Sequence, residues 1–185
     1  QGFDTFVVTL NHFSNLIKAY FGDGSNWGVK ISYSEESKRL STMGPLSLIK
    51  NLPENFLVIN SDVLSDLDIN EMWDYHTSNN STLTVGTKEV EVKSEFGEII
   101  HDEEGSIIKF KEKPTTTSYV SMGVYIANKR VLNYIPKNTF YGFDHLLLDL
   151  IEAEDFAKTY IHKGYWLDIG RPSDYESAQN YVKEK

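Results

Sequence analysis

Apolar strand-like runs alternate with helical patterns as far as residue 80, and this alternation constrains the fold more than any other feature of the chain. "TFVVTL" (5–10) is β-branched and apolar on both sides, as expected of a strand covered on both faces of a parallel sheet. "SNLIKAYF" follows, with Leu16, Ile17 and Tyr20 at helical spacing and Gly22-Asp23-Gly24 to stop it. "VKISYS" reads as a second strand, and "EESKRLSTMGP" as an aperiodic polar connection. Residues 46–52 form a short helical pattern, and "NFLVINSD" is a further apolar strand that ends in an acid. "DINEMWDYHTSNN" begins with Asp68 as N-cap and places Ile69, Met72, Trp73 and His76 on one face, with His76 at the edge of the core. Strand and helix in this order predict an α/β sheet with parallel strands.

Beyond residue 80 the pattern changes. "STLTVGTKEV", "FGEIIHD", "GSIIKFKEKP" and "SYVSMGVYIAN" are successive strand candidates, and Asp102-Glu103-Glu104-Gly105 reads as a hairpin turn. Helices return at 128–135 and 144–153, strands near 157–168, and a last helix at about 172–183. The expectation is a mixed sheet, parallel in its first half, with antiparallel additions and no internal repeat or linker.

The chain of 185 residues, 40% apolar and 13% aromatic, fits one domain with its own core. Its net charge of -9 gives no general attraction to nucleic acid or to anionic membranes, so a phosphate ligand would need a local cation. With no cysteine, disulfides and thiolate zinc sites are excluded. No run has the length of a membrane span and no leader opens the chain, so a cytoplasmic protein is expected. The five histidines show no HxxH or HxxxH spacing, and neither a P-loop nor a GxGxxG pattern occurs.

Several stretches carry residues suited to chemistry. "FLVINSDVLSD" delivers Asp62 to the C-terminal edge of a strand, where open α/β sheets bind ligands, although a carboxylate there also caps turns. In "GYWLDIGRPSDYESAQ", Asp168 falls within an apolar run, where an ionised carboxylate costs several kcal/mol unless something receives it. Two strand-end carboxylates could hold a hard cation such as Mg²⁺ together with substrate phosphates; a structural Asp168–Arg171 pair is the plainer account. "KFKEKP" (109–114) sets Ile108 and Phe110 against Lys109 and Lys111. Glu112-Lys113 at its end would serve a phosphorylated polyol, or be a solvated surface pair. Gly97 and Gly123 interrupt strand patterns, which marks either a bulge or a close ligand approach.

The order of these stretches resembles the sugar-phosphate nucleotidyltransferases (NDP-sugar pyrophosphorylases), nearest to the mannose-1-phosphate guanylyltransferase and glucose-1-phosphate nucleotidyltransferase branch. "YFGDGSNWGVKISYSEE" (20–36) is similar to the segment before the base-binding loop, and "LSTMGPL" (40–46) to the LGTAG-type loop itself. "FLVINSDVL" (56–64) resembles the metal-aspartate strand, and "FGEIIHDEEGSIIKFKEKP" (96–114) the sugar-binding stretch. "SMGVY" (121–125) and "YWLDIGRPSDY" (165–175) complete the match. The resemblance implies a Rossmann-like three-layer α/β/α fold with a mixed, mainly parallel sheet. It also implies transfer of a nucleotidyl group from an NTP to a sugar 1-phosphate, giving NDP-sugar and pyrophosphate in nucleotide-sugar biosynthesis. Asp62 and Asp168 would ligate Mg²⁺, Glu112 would bind sugar hydroxyls, and Lys113 the sugar phosphate. Gly97 and Gly123 would admit the sugar to the backbone, and Thr42 and Gly44 would lie beside the nucleotide.

The sequence also departs from the family pattern. No segment of the form GGxGTRLxPLT occurs, Ser61 stands where glycine is frequent, and Ser121 stands where an asparagine is usual in the NAGxY-type motif. Residues 1–185 are therefore expected to be a single nucleotidyltransferase domain lacking its first strand, glycine-rich loop and first helix, and inactive alone. A sheet edge left open would favour a homo-oligomer. Two other readings stand beside this one: a GT-A-like glycosyltransferase, which would want a D-x-D, and a non-catalytic sugar-phosphate-binding module.

Overall fold

The computed structural model describes residues 1–184. A four-stranded sheet in the order β3-β8-β5-β9 forms its centre, built from β3 (Asn55–Ile59), β8 (Thr115–Asn128), β5 (Leu83–Lys93) and β9 (Ala157–His162). β8 runs antiparallel to both β3 and β5, whereas β5 and β9 are parallel. β1 (Thr5–Leu10) and β2 (Lys30–Glu35) make a separate parallel pair, as the opening alternation predicts. Two short antiparallel pairs complete the strands: β4 (Val63–Ser65) with β10 (Trp166–Asp168), and β6 (Glu98–His101) with β7 (Ile107–Lys111). The sheet is thus mixed, and the insertion of β8 between β3 and β5 makes most of its central pairings antiparallel.

The layers follow from the period-2 alternation of side chains along β8. Met122, Val124 and Ile126 point to one side, where they pack with Leu67 and with Ile69 and Met72 of α2 (Ile69–Ser78). Tyr125 and Ala127 point to the other, where Leu83, Val85, Phe56, Leu146 and Leu150 meet them. Leu146 and Leu150, one turn apart on α3 (Phe143–Glu152), are fully buried; burial of each contributes about 1.5–3 kcal/mol. The result is an α/β/α arrangement.

Local signals account for the helix ends. Asp68 caps α2, its carboxylate accepting from the amides of Asn70 at 2.8 Å and Glu71 at 3.3 Å. Pro172 opens α4 (Pro172–Glu184), at a helical position where its missing N–H has no intrahelical acceptor to lose. Residues 44–48 and 129–133 wind as 3₁₀ turns where longer helical pieces are expected. Asp102 closes the β6–β7 hairpin by accepting from the amides of Glu104 and Ser106. No helix among the described residues is long and apolar enough to cross a membrane.

Two expectations fail here. β1, read as covered on both faces, is largely exposed, with Phe6 and Val7 each 40% accessible, because among the described residues it pairs only with β2 and no helix residue of α1 (Ser14–Phe21) is buried over it. β1 and β3 each end a sheet and leave an open edge. His76, expected at the core edge, is buried at 1% accessibility. Its Nδ1 lies 2.8 Å from Thr84 Oγ1 and its Nε2 3.3 Å from Asn55 Oδ1, an arrangement that suits a neutral ring accepting at one nitrogen and donating at the other.

Candidate functional site

The site is built where β3 ends. Past Ile59 the chain turns through Asn60, Ser61 and Asp62 into β4, and the Asn60 amide donates to the Gly123 carbonyl at 2.9 Å. Gly123 sits in a bulge of β8: Val85 of β5 faces Tyr125 but Thr87 faces Ser121, so β8 carries extra residues at this point. Its φ of 73° suits glycine, and a Cβ there would lie 2.8 Å from Asn60 Nδ2. Ser121, the position that departs from the usual asparagine, supports the bulge: its hydroxyl accepts from the Gly123 amide at 3.3 Å and donates to the Tyr125 hydroxyl at 3.1 Å.

β4 receives β10 in antiparallel register, with Asp168 opposite Val63, and the Ile169 amide donates to the Asp62 carbonyl at 2.8 Å. The indole N–H of Trp166 donates to the Met122 carbonyl at 3.0 Å, fastening β10 to the same bulge. Asp62 and Asp168, remote in sequence, thus occupy neighbouring strand ends. In an unbroken pleat Asp62 would face away from Asp168, but Ser61 and Asp62 lie in a turn, where that alternation does not hold.

The apolar run around Asp168 does not bury it. Both Asp168 and Asp62 are exposed, because β10 has three residues and one neighbour, and only Trp166 and Leu167 turn partly inward. Among the described residues no ion pair joins Asp168 to Arg171, although both line an open recess with Gly170 and Asp174. The plainer account of Asp168, a paired structural turn, is therefore absent.

Gly97 and Glu112 come together on the β6–β7 arm. A Cβ on Gly97 would lie 2.6 Å from the Phe110 ring and 3.4 Å from Glu112 Oε2, so the glycine lets ring and carboxylate close over the backbone. Lys111 and Glu98 pair across the hairpin at 2.9 Å. Lys113 is exposed and holds φ at 43°, an unusual backbone state for a lysine, directly before Pro114. The Ser94 amide donates to the Pro114 carbonyl at 2.9 Å, which closes the arm where β8 begins. β8 is thus the common rail, with Lys113 just before its start and Gly123 within it.

Thr42 and Gly44 have packing roles. The Thr42 hydroxyl accepts from the Phe143 amide at 2.8 Å, at the start of α3. Gly44 is buried, its amide donates to the Tyr141 carbonyl at 2.8 Å, and a Cβ would lie 2.6 Å from the Thr139 carbonyl. Asn60, whose side chain fills the space beside Gly123, has no signal in the sequence beyond its place at the end of the apolar strand.

Comparison with known proteins identifies the family and the fold. The family model described as nucleotidyl transferase matches residues 1–185. The chain is 33% identical to a mannose-1-phosphate guanylyltransferase catalytic subunit beta of Dictyostelium discoideum, covering all of this chain and 54% of that protein. It is 30% identical to a UTP–glucose-1-phosphate uridylyltransferase of Synechocystis, covering 96% of this chain and 51% of the relative. A D-glycero-alpha-D-manno-heptose 1-phosphate guanylyltransferase of Aneurinibacillus thermoaerophilus is 31% identical, with 99% and 80% covered. The chain thus spans about half the length of the first two relatives. In fold it is similar to HddC from Yersinia pseudotuberculosis (TM-score 0.71, 24% identity, 98% of this chain and 80% of that one). It is also similar to a Bacillus anthracis structure described as "a Putative Glucose-1-Phosphate Thymidylyltransferase" (TM-score 0.73, 19% identity, 97% and 76%). The sheet between α2 and α3 is therefore the Rossmann-like sheet of these enzymes, and the chain belongs to the nucleotidyl transferase family.

Proposed function

We propose that this chain carries the metal and sugar-phosphate half of a sugar-1-phosphate nucleotidyltransferase. In the reaction a phosphate oxygen of the sugar 1-phosphate attacks the α-phosphorus of an NTP. The bond from that phosphorus to the bridging oxygen breaks, and pyrophosphate leaves with the electron pair. The observation that carries the reading is the pairing of β4 with β10, which sets Asp62 and Asp168 on adjacent strand ends.

Their chemistry fits Mg²⁺. Both are hard oxygen donors open to solvent, and among the described residues no cluster of three or more His, Cys, Asp or Glu forms a full cage. Mg²⁺ characteristically takes one or two carboxylates and completes its shell with water and substrate phosphate. When bound, such an ion neutralises the charge that otherwise keeps two phosphates apart.

The rest of the assignment concerns this chain's own side chains. Lys113 binds the sugar phosphate as a point charge, and Glu112 accepts hydrogen bonds from the sugar hydroxyls. Gly97 and Gly123 serve the sugar site by letting Glu112 and Asn60, respectively, close against the backbone. Thr42 and Gly44 hold the loop that faces the nucleotide. Catalysis of this type asks the protein for positioning and electrostatic stabilisation rather than covalent chemistry.

Calorimetric titration of the chain with mannose 1-phosphate and glucose 1-phosphate, with and without Mg²⁺, tests the reading. Metal-dependent binding of at least one sugar phosphate that is lost in Lys113→Ala is expected. No binding of either, or binding indifferent to Lys113, contradicts it.

A further inference from the structure

The segment before Asp168 is held by a cluster that neither the metal nor the sugar reading uses. Nε2 of His162, at the end of β9, lies 2.9 Å from Oδ1 of Asp66, just beyond β4, and the His162 side chain is only 10% accessible. The Tyr165 carbonyl between them already receives the Ser65 hydroxyl at 2.9 Å and the Asp66 amide at 3.2 Å. Two donors fill its two lone pairs, so the third contact, His162 Nε2 at 3.2 Å, is the weaker use of that N–H. His162 Nε2–H therefore donates to the Asp66 carboxylate.

Gly164 makes the pair feasible. A Cβ there would overlap Asp66 Oδ1 and lie 2.7 Å from Cε1 and 2.9 Å from Nε2 of His162. Its φ is outside the left-handed region, so contact with the pair, not backbone conformation, selects glycine. Lys88 of β5, paired with His162 in the parallel register, donates its ammonium to the carbonyls of Lys163 at 3.0 Å and Gly164 at 2.5 Å. Residues 163–165 are thereby fixed from β4, β5 and β9. The three-residue β10 that carries Asp168 starts immediately after them.

From this we infer that His162 and Asp66 are positioning residues: their hydrogen bond sets β10 against β4 and so sets the spacing of Asp62 and Asp168. The inference rests on the metal reading of those two carboxylates for its consequence, though not for its geometry. A three-residue strand with one neighbour has few contacts of its own, and orienting partners behind metal ligands typically govern affinity.

The test compares His162→Leu with His162→Gln in the full chain, since glutamine keeps an N–H donor and leucine does not. Hydrogen exchange of the Ile169 and Leu167 amides reads the strand pairing, and Mn²⁺ binding by water-proton relaxation reads the site. In His162→Leu we expect exchange at these amides to rise about tenfold, and Mn²⁺ affinity to fall by about tenfold. His162→Gln should stay near wild type, and β5–β9 amides should be unchanged in both. Gly164→Ala, which drives a methyl into the pair, should behave like His162→Leu. Unchanged Ile169 exchange in His162→Leu overturns the inference, and so does equal impairment of the leucine and glutamine variants. If the unmodified chain binds no Mn²⁺, or Asp168→Asn leaves binding intact, the metal reading fails instead, and the exchange data alone decide the positioning role.

Discussion

The amide of Ile169 donates to the carbonyl of Asp62 at 2.8 Å, so the residue after one candidate metal ligand is hydrogen-bonded to the backbone of the other. Asn60, two residues before Asp62, donates in turn to Gly123 in the β8 bulge. Strand end, bulge and β10 form one hydrogen-bonded unit, and disturbance at any of the three reaches the other two.

Gly123→Ala tests that unit at its tightest point. The new methyl meets Asn60 Nδ2 at 2.8 Å and the backbone is held at a φ of 73°. We expect a loss of about 1–3 kcal/mol in urea unfolding, with weaker sugar-phosphate binding, since both the conformation and the neighbour oppose a side chain.

Gly97→Ala should separate function from stability. Its methyl presses on Phe110, which is 58% exposed and free to swing outward, so the unfolding midpoint should move little. The same displacement disturbs Glu112, and sugar 1-phosphate affinity should fall several-fold. A large stability loss with intact binding would assign Gly97 to the architecture of the arm.

Stability should fall on acidification because of His76. Burial, aided by the Arg130 charge, lowers its pKa from 6.5 to about 4. Between these values the unfolded chain binds the proton that the folded one refuses. Stability is therefore full above pH 6.5 and is lost as the pH falls towards 4, by up to about 3 kcal/mol. Urea midpoints at pH 7.5 and 4.5 measure this, and His76→Gln should flatten the slope.

Turnover by these 185 residues should be slight. Within them no glycine-rich, arginine-bearing loop of the GGxGTRLxPLT form is present to cradle a triphosphate through backbone amides. Pyrophosphate release from GTP, UTP or dTTP with several sugar 1-phosphates should stay near background, and brisk release would contradict this.

Much of this was legible in the sequence, for identifiable reasons. Asp68 announced the start of α2, and the acid closing "NFLVINSD" announced a strand end, because caps and apolar runs are local signals. The order of motifs pointed to the nucleotidyl transferases over a glycosyltransferase, and the family match agrees. What the sequence obscured depends on partners distant along the chain. The apolar run around Asp168 predicted burial, yet a three-residue strand with a single neighbour leaves its last side chain in water. β1 is as apolar as a covered strand and lies exposed because nothing among the described residues covers it. His162 looked like one scattered histidine, since Asp66 and Gly164 become its neighbours only when β9 and β4 converge on the same turn.

The most direct measurement of the central claim is Mn²⁺ binding followed by electron paramagnetic resonance in the unmodified chain, Asp62→Asn, Asp168→Asn and the double variant. One site is expected, lost in each single variant and no further changed in the double. A site that survives in either single variant would mean that the two carboxylates do not share an ion.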